Sequence, residues 1–147
     1  MITALKNLFK LPVEQVEQIS YQKAVAALLM EVMLADHKVD EQEEKQVKEF
    51  LREISDLGED IDVLYEEAKS GVDEANDLYQ FTKVINDGAT LEQKMLLLKG
   101  LWRVALADGD IDSYEDHRIR RISELLFMPH SEFIQAKLST QAEMKAE

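Results

Sequence analysis

The chain has 147 residues, of which 46% are apolar, and its 30 Asp and Glu against 17 Lys and Arg give a formal charge of −13. This length and composition predict a single compact folded domain. A surface this negative excludes stand-alone nucleic-acid binding, which depends on Lys and Arg that neutralise phosphates. The sequence has no cysteine, which excludes disulfides, thiolate zinc sites and cysteine nucleophiles.

The apolar runs of the chain fall well short of the roughly 20 residues that cross a membrane, and the N-terminus lacks the apolar core of a signal peptide. We therefore expect a cytoplasmic protein without a membrane span. The amphipathic segment at residues 1–11 is a weak candidate for association with a membrane surface, because Leu5, Leu8 and Phe9 share one face. Packing of this segment on the domain is the alternative interpretation.

Apolar residues recur at spacings of three and four along the chain, which is the period of one helical face. The pattern predicts a long helix from Val13 to Ala35, with Pro12 in its first turn, and a second helix from Glu41 to about Asp56. Two shorter apolar patterns follow. We expect the first of them to end at Ser70-Gly71 and the second at Asn86-Asp87-Gly88.

The second half of the chain begins with a capping box, in which the Thr90 hydroxyl and the Gln93 side chain each bond to the other residue's backbone N–H. A helix follows this box, and further helices are expected over Arg118 to Leu126 and from about Ser131. No segment alternates with period two, so we predict an all-α single domain of about seven or eight helices. Six large side chains are expected to fill its core: Met30, Met33, Phe50, Met95, Trp102 and Phe127.

Two ten-residue stretches match without gaps at an offset of 72 residues, one beginning at Leu34 and the other at Leu106. Both read L-A-D-x-x-[VI]-D-x-x-E, and the match extends on either side. We interpret the domain as a duplicated helical-hairpin unit, with one repeat at about residues 20–69 and the other at about 92–138. An acidic connection covers about residues 53–90. Within it, residues 53–77 hold ten acidic residues and one basic residue.

Each repeat places its acidic motif at the turn between two helices. Asp40 and Asp112 stand where a helix N-cap belongs, and Glu43 and Glu115, three residues later, complete an Asp-x-x-Glu capping box. Such caps stabilise a helix by about 1 kcal/mol each. Capping is therefore one complete interpretation of these four residues.

Asp36 and Asp108 have no role as N-caps, because they lie at the C-terminal end of the preceding helix, where the helix dipole disfavours a negative charge. A hard divalent cation, such as calcium, magnesium or manganese, is the sharper hypothesis, since these ions prefer oxygen ligands. Its site lies within one turn or is shared where the two turns approach. An EF-hand does not fit, because Ser113 and Ile119 replace its glycine and its bidentate glutamate. The candidate metal ligands are Asp36, Asp40, Glu43, Asp108, Asp110, Asp112 and Glu115.

The second motif, from Ala107 to Asp112 with Glu115, resembles the acidic A-D-G-x-[IV]-x-x-x-E turn of the TerB family, the tellurite-resistance protein B group. The first motif, from Ala35 to Asp40 with Glu43, fits except that His37 replaces the glycine. The similarity extends over about residues 20–140. The resemblance implies a duplicated all-helical bacterial domain that is linked with stress or metal-ion response and binds a divalent cation through acidic residues.

Three classes of function remain open from the sequence. No nucleophile–base pair or phosphate-binding glycine loop is recognisable, so the leading hypothesis is a non-enzymatic binding or adaptor protein of bacterial stress response. In this hypothesis the protein has an unidentified protein partner, and its acidic turns hold a divalent cation. The second hypothesis is a pure protein-interaction module whose acidic turns are helix caps and whose groove between the repeats receives a partner helix. A metal-dependent enzyme is the third.

Overall fold

The structure is a computed structural model that describes residues 20–36, 40–54, 60–74 and 78–147. These ranges contain seven α-helices and no strands, which confirms the all-α prediction. No helix within them is long and apolar enough to cross a membrane. The helices are α1 (Tyr21–Met33), α2 (Glu41–Ile54), α3 (Ile61–Glu74), α4 (Tyr79–Gly88), α5 (Leu91–Ala105), α6 (Ser113–Leu125) and α7 (His130–Lys145).

Several predicted features lie outside the described residues. They are the N-terminal segment 1–11, the part of the predicted long helix before Ser20, and the predicted end of the second helix at about Asp56. Within the described residues, α1 begins after Ser20, whose hydroxyl accepts a hydrogen bond from the Lys23 N–H at 3.1 Å. Ser20 is therefore the N-cap of this helix.

Helix α1 is the centre of the bundle and contacts α2, α3, α4, α5 and α6. Its central residues are buried on all sides, which is typical of a helix enclosed by its neighbours. Four of the six predicted core side chains, Met30, Met33, Phe50 and Trp102, are buried, and Met95 is half-buried against the same core. The core therefore follows the predicted apolar faces in these helices.

The predicted helix end at Ser70-Gly71 is wrong, because α3 continues through both residues to Glu74. Gly71 is not among the described residues with a positive φ, so it does not adopt the left-handed conformation of a C-terminal cap. A glycine inside a helix costs about 1 kcal/mol relative to alanine. Burial of apolar side chains earlier in the helix, among them Ile61 and Tyr65, offsets a cost of that size.

The prediction that Phe127 fills the core is also wrong, because this side chain is 79% exposed. Phe127 follows α6 with a φ of 58°, the left-handed conformation common just after a helix. The Met128 N–H then donates to the Ser123 carbonyl at 3.0 Å. This turn directs Phe127 outward while its neighbours Leu126 and Met128 are buried.

Helix α5 begins as predicted, with the Thr90–Gln93 capping box formed by two hydrogen bonds of 2.8 and 3.1 Å. Helix α6 starts at Ser113, five residues before the predicted start at Arg118. The extra turn is present because Asp112 caps it, as the motif indicates. The acidic turns of the two repeats are thus the connections between α1 and α2 and between α5 and α6.

Candidate metal centre

The two acidic turns make the same hydrogen bond at the start of the helix that follows each turn. Asp40 Oδ1 accepts from the Gln42 N–H, and Asp112 Oδ1 accepts from the Tyr114 N–H, both at 2.7 Å. Both aspartates therefore cap a helix, as predicted, although the donor is two residues away and not three. Each cap uses one carboxylate oxygen and leaves the other for a second partner.

Glu43 and Glu115 are the third residues of α2 and α6, and both are almost completely buried, with exposed fractions of 2% and 1%. A side-chain hydrogen bond joins the two carboxyl groups. The structure therefore brings together two acids that lie 72 residues apart in the sequence. Two carboxylates need a shared proton or a cation to remain in such contact.

The environment of this pair raises both pKa values. Burial raises the pKa of Glu43 to about 9, assisted by the hydrogen bond to Glu115 and by the negative charges of Glu115, Asp36 and Asp108. Burial raises the pKa of Glu115 to about 7, against the opposing effect of hydrogen bonds from Glu43 and from the backbone of Asp112. At neutral pH the pair therefore retains a proton, which the two carboxyl groups share.

The carboxyl pair is incompletely satisfied. Apart from the contact between the two carboxyl groups, Oε2 of Glu43 and Oε2 of Glu115 are buried and accept no hydrogen bond from the described residues. A buried acceptor without a partner costs about 1–3 kcal/mol, and more if it is charged. No described Lys or Arg forms an ion pair with Glu43 or Glu115. The pair therefore has too little positive charge and too few hydrogen-bond donors around it.

Asp40 and Asp108 approach this pair from opposite repeats. Asp40, Glu43 and Asp108 each offer one carboxylate oxygen, and these oxygens all lie within 4.8 Å of one another. Hard cations bind oxygen at about 2.0–2.6 Å, so two ligands of one ion are separated by up to about 5 Å. The spacing is therefore compatible with one shared ion. It corresponds to the predicted site between the two turns and not to a site within one turn.

The remaining candidates lie around this group without joining it. Asp110 is exposed, and its backbone N–H donates to Asp108 Oδ1 at 3.1 Å, across Gly109 with its φ of 96°. Asp36 is half-buried, and its charge acts on both glutamates. Asp112 is the cap described above. The sequence shows no signal for the direct contact between Glu43 and Glu115, because it depends on how the two repeats pack.

Comparison with known proteins identifies the family. No curated protein and no solved structure is significantly similar to the chain. The sequence profile of the family described as Tellurite resistance protein TerB matches residues 22–138. This match includes both acidic turns and extends from α1 into α7. Since it covers well over half of the chain, the protein belongs to the TerB family.

Proposed function

We propose that this protein is a non-enzymatic binding or adaptor protein of the bacterial stress response that holds a hard divalent cation between its two acidic turns. The observation that carries the proposal is the convergence of Asp40, Glu43 and Asp108, whose oxygens lie within 4.8 Å of one another. Membership of the TerB family supports the link with tellurite or metal-ion stress. A cytoplasmic location is part of the same proposal.

The unpartnered oxygen of Glu43 supports a cation in preference to a capping role alone. Capping explains Asp40, but it leaves Glu43 Oε2 buried without a donor. A divalent ion satisfies that oxygen and offsets the repulsion among the carboxylates. Asp108 is exposed, so the solvent side of the site can supply the water ligands that complete the shell of calcium, magnesium or manganese.

A cation in this position connects the two repeats. Asp40 and Glu43 belong to the turn and first residues of α2, whereas Asp108 belongs to the turn before α6. An ion that binds both turns stabilises their relative position only in the folded state. A partner that recognises the packed repeats would therefore bind in a cation-dependent manner, which is the adaptor role that we propose.

Thermal unfolding of chelator-treated protein tests the proposal, with calcium, magnesium and manganese added separately. Binding to the native state at 100 times the dissociation constant stabilises it by about 2.7 kcal/mol. We expect at least one of the ions to raise the unfolding midpoint and Asp108→Asn to abolish the effect. Unchanged midpoints with all three ions would overturn the proposal.

Glu92→Gln is the matched control for that experiment. Glu92 is an exposed carboxylate in the first turn of α5, and the acidic turn follows the other end of the same helix. At 1.5 Å per residue, the 15 residues of α5 separate these ends by about 20 Å. The control removes one negative charge from the protein and should retain the full response to the cation.

A groove between the repeats favours the second candidate function, a protein-interaction module. It has a volume of about 210 Å³ and lies between α1 and α2 of the first repeat and α5 of the second. Leu96 on its rim is 48% exposed. Its apolar lining residues are Tyr21, Val25, Phe50, Ile54, Leu96 and Leu97.

Capture of partners from a bacterial lysate tests this second candidate. Leu96→Asp should reduce capture, whereas Leu138→Asp, at another exposed leucine on α7, should not. Capture that is unaffected by Leu96→Asp would exclude the groove as the binding surface. A comparison of the amount captured in chelator and in added cation then shows whether binding of the partner depends on the metal site, as the first candidate requires.

A further inference from the structure

We propose that the acidic centre has a second cation subsite, so that the folded protein binds a pair of divalent ions. This inference rests on the proposed cation-binding function and extends it. The first subsite consists of Asp40, Glu43 and Asp108. The second consists of Asp36, Asp112 and Glu115.

The correspondence between the repeats defines the second subsite. The 72-residue offset carries Asp40 onto Asp112 and Glu43 onto Glu115, and in the reverse direction it carries Asp108 onto Asp36. Every ligand of the first subsite therefore has a carboxylate counterpart in the second. The caps repeat as well, because Asp40 and Asp112 make the same 2.7 Å hydrogen bond to a backbone N–H.

Glu115 supplies an independent indication of a ligand. Its side chain contacts Glu43 and is only 1% exposed, and apart from that contact its buried Oε2 accepts no hydrogen bond from the described residues. One ion in the first subsite satisfies Glu43 but leaves this oxygen of Glu115 as it is. A second ion on the Glu115 side provides a partner for this oxygen.

The charge of the centre also favours two ions. When ionised, the six carboxylates of the two subsites carry a charge of −6, which one divalent ion reduces to −4 and two ions reduce to −2. The Glu43–Glu115 contact lies where the two subsites meet, so the two carboxylates lie between the two ions. Carboxylates in this position allow two cations to approach each other, because they screen the repulsion between them.

The two subsites differ in how closely their carboxylate oxygens approach one another. The oxygens of the first subsite lie within 4.8 Å of one another, and those of the second do not reach this spacing in the structure. The second ion therefore has to draw its ligands together and binds more weakly than the first. We expect two successive binding steps with different affinities.

Equilibrium dialysis of chelator-treated protein against Mn²⁺, at about 0.15 M salt to screen the acidic surface, measures the number of bound ions. We expect two ions per chain in the wild type and in Glu92→Gln. Asp36→Asn and Asp112→Asn should each bind one ion, and Asp112→Asn retains the helix cap. Electron paramagnetic resonance of the wild type should show magnetically coupled Mn²⁺, and the two variants should show isolated ions.

The outcomes separate this inference from the proposed function. One ion per chain in the wild type, lost in Asp108→Asn, would overturn the second subsite and leave the function intact. No bound ion would overturn both. Two ions that persist in both Asp36→Asn and Asp112→Asn, with circular dichroism showing that the variants are folded, would overturn the assignment of these ligands.

Discussion

Glu43 of one repeat is hydrogen-bonded through its carboxyl group to Glu115 of the other, and both side chains are almost inaccessible to solvent. Each glutamate lies in the first turn of its helix, α2 or α6, where the helix dipole favours negative charge. Two helix N-termini therefore support one buried acidic pair. This stabilisation is incomplete, since apart from the contact between them each glutamate has a buried oxygen that accepts no hydrogen bond from the part of the chain that the structure describes.

The acidic pair makes the stability of the metal-free protein depend on pH. Its folded-state pKa values, about 9 and about 7, lie above the value of 4.5 for a free glutamate, so the folded state binds more protons than the unfolded state. The contribution of the pair to the free energy of unfolding should therefore be fully present below about pH 4.5 and should be lost as pH rises from about 5 to about 9. Urea titrations in chelator at several pH values measure this loss.

The variant Glu43→Gln isolates the contribution of the pair to that loss. The neutral amide can donate to the Glu115 carboxylate without a bound proton, so the variant should lose less stability than the wild type as pH rises. Since one unit of pKa shift is worth about 1.4 kcal/mol, we expect a difference of at least about 1 kcal/mol near pH 9. Parallel pH profiles for the two proteins would show that the pair does not share a proton.

Asp40 combines a cap with a ligand, and two substitutions separate these roles. Asp40→Asn retains a good N-cap, so it should change the metal-free stability little and remove the stabilisation by cation. Asp40→Ala should remove that stabilisation and also cost about 1 kcal/mol in chelator. Urea unfolding of both variants, with and without the stabilising cation, measures the two effects. Full cation stabilisation of Asp40→Asn would exclude Asp40 as a charged ligand.

Gly100 on α5 and Phe50 on α2 hold the two repeats in close contact. A Cβ atom at position 100 would lie 2.4 Å from the Phe50 ring, which is closer than any real contact. Gly100→Ala should therefore destabilise the protein by about 1–3 kcal/mol, the usual cost of overpacking a core. Because a displaced α2 also moves Glu43, the variant should respond less to the cation.

Gly71 provides the opposite control for Gly100. It lies within α3, and a Cβ atom at this position would meet nothing within 4 Å. Gly71→Ala should therefore stabilise the protein by up to about 1 kcal/mol, since alanine is the better helix former. Thermal unfolding of Gly71→Ala and Gly100→Ala tests both predictions. A stabilising Gly100→Ala would show that α2 and α5 are not packed as described.

Local signals in the sequence predict much of the fold. The Thr90–Gln93 box and the caps Asp40 and Asp112 depend on residues two or three positions apart, and the structure contains each of them. The errors at Gly71 and Phe127 arise where packing decides the outcome. Gly71 continues a helix that is anchored by buried residues, and Phe127 is turned outward so that its neighbours can be buried.

The candidate site is predictable only in part for the same reason. The sequence names Asp40, Glu43 and Asp108 among the candidate ligands and places them in two turns, although capping alone accounts for Asp40 and Glu43 and leaves only Asp108 unexplained. It leaves open whether each turn holds its own ion or both turns share one. That choice depends on contacts between residues about 70 positions apart, which no local pattern encodes. Oxygens of Asp40, Glu43 and Asp108 that lie within 4.8 Å of one another across the two turns favour a shared ion.

The most direct test of the cation site is an anomalous difference map from crystals of the protein grown with Mn²⁺. We expect a peak at about 2.0–2.6 Å from carboxylate oxygens of Asp40, Glu43 and Asp108, the range in which hard cations bind oxygen. The same crystals of Asp108→Asn should lack it. The proposal would be contradicted by a map without a peak between the two turns, or with peaks only at exposed carboxylates elsewhere on the acidic surface.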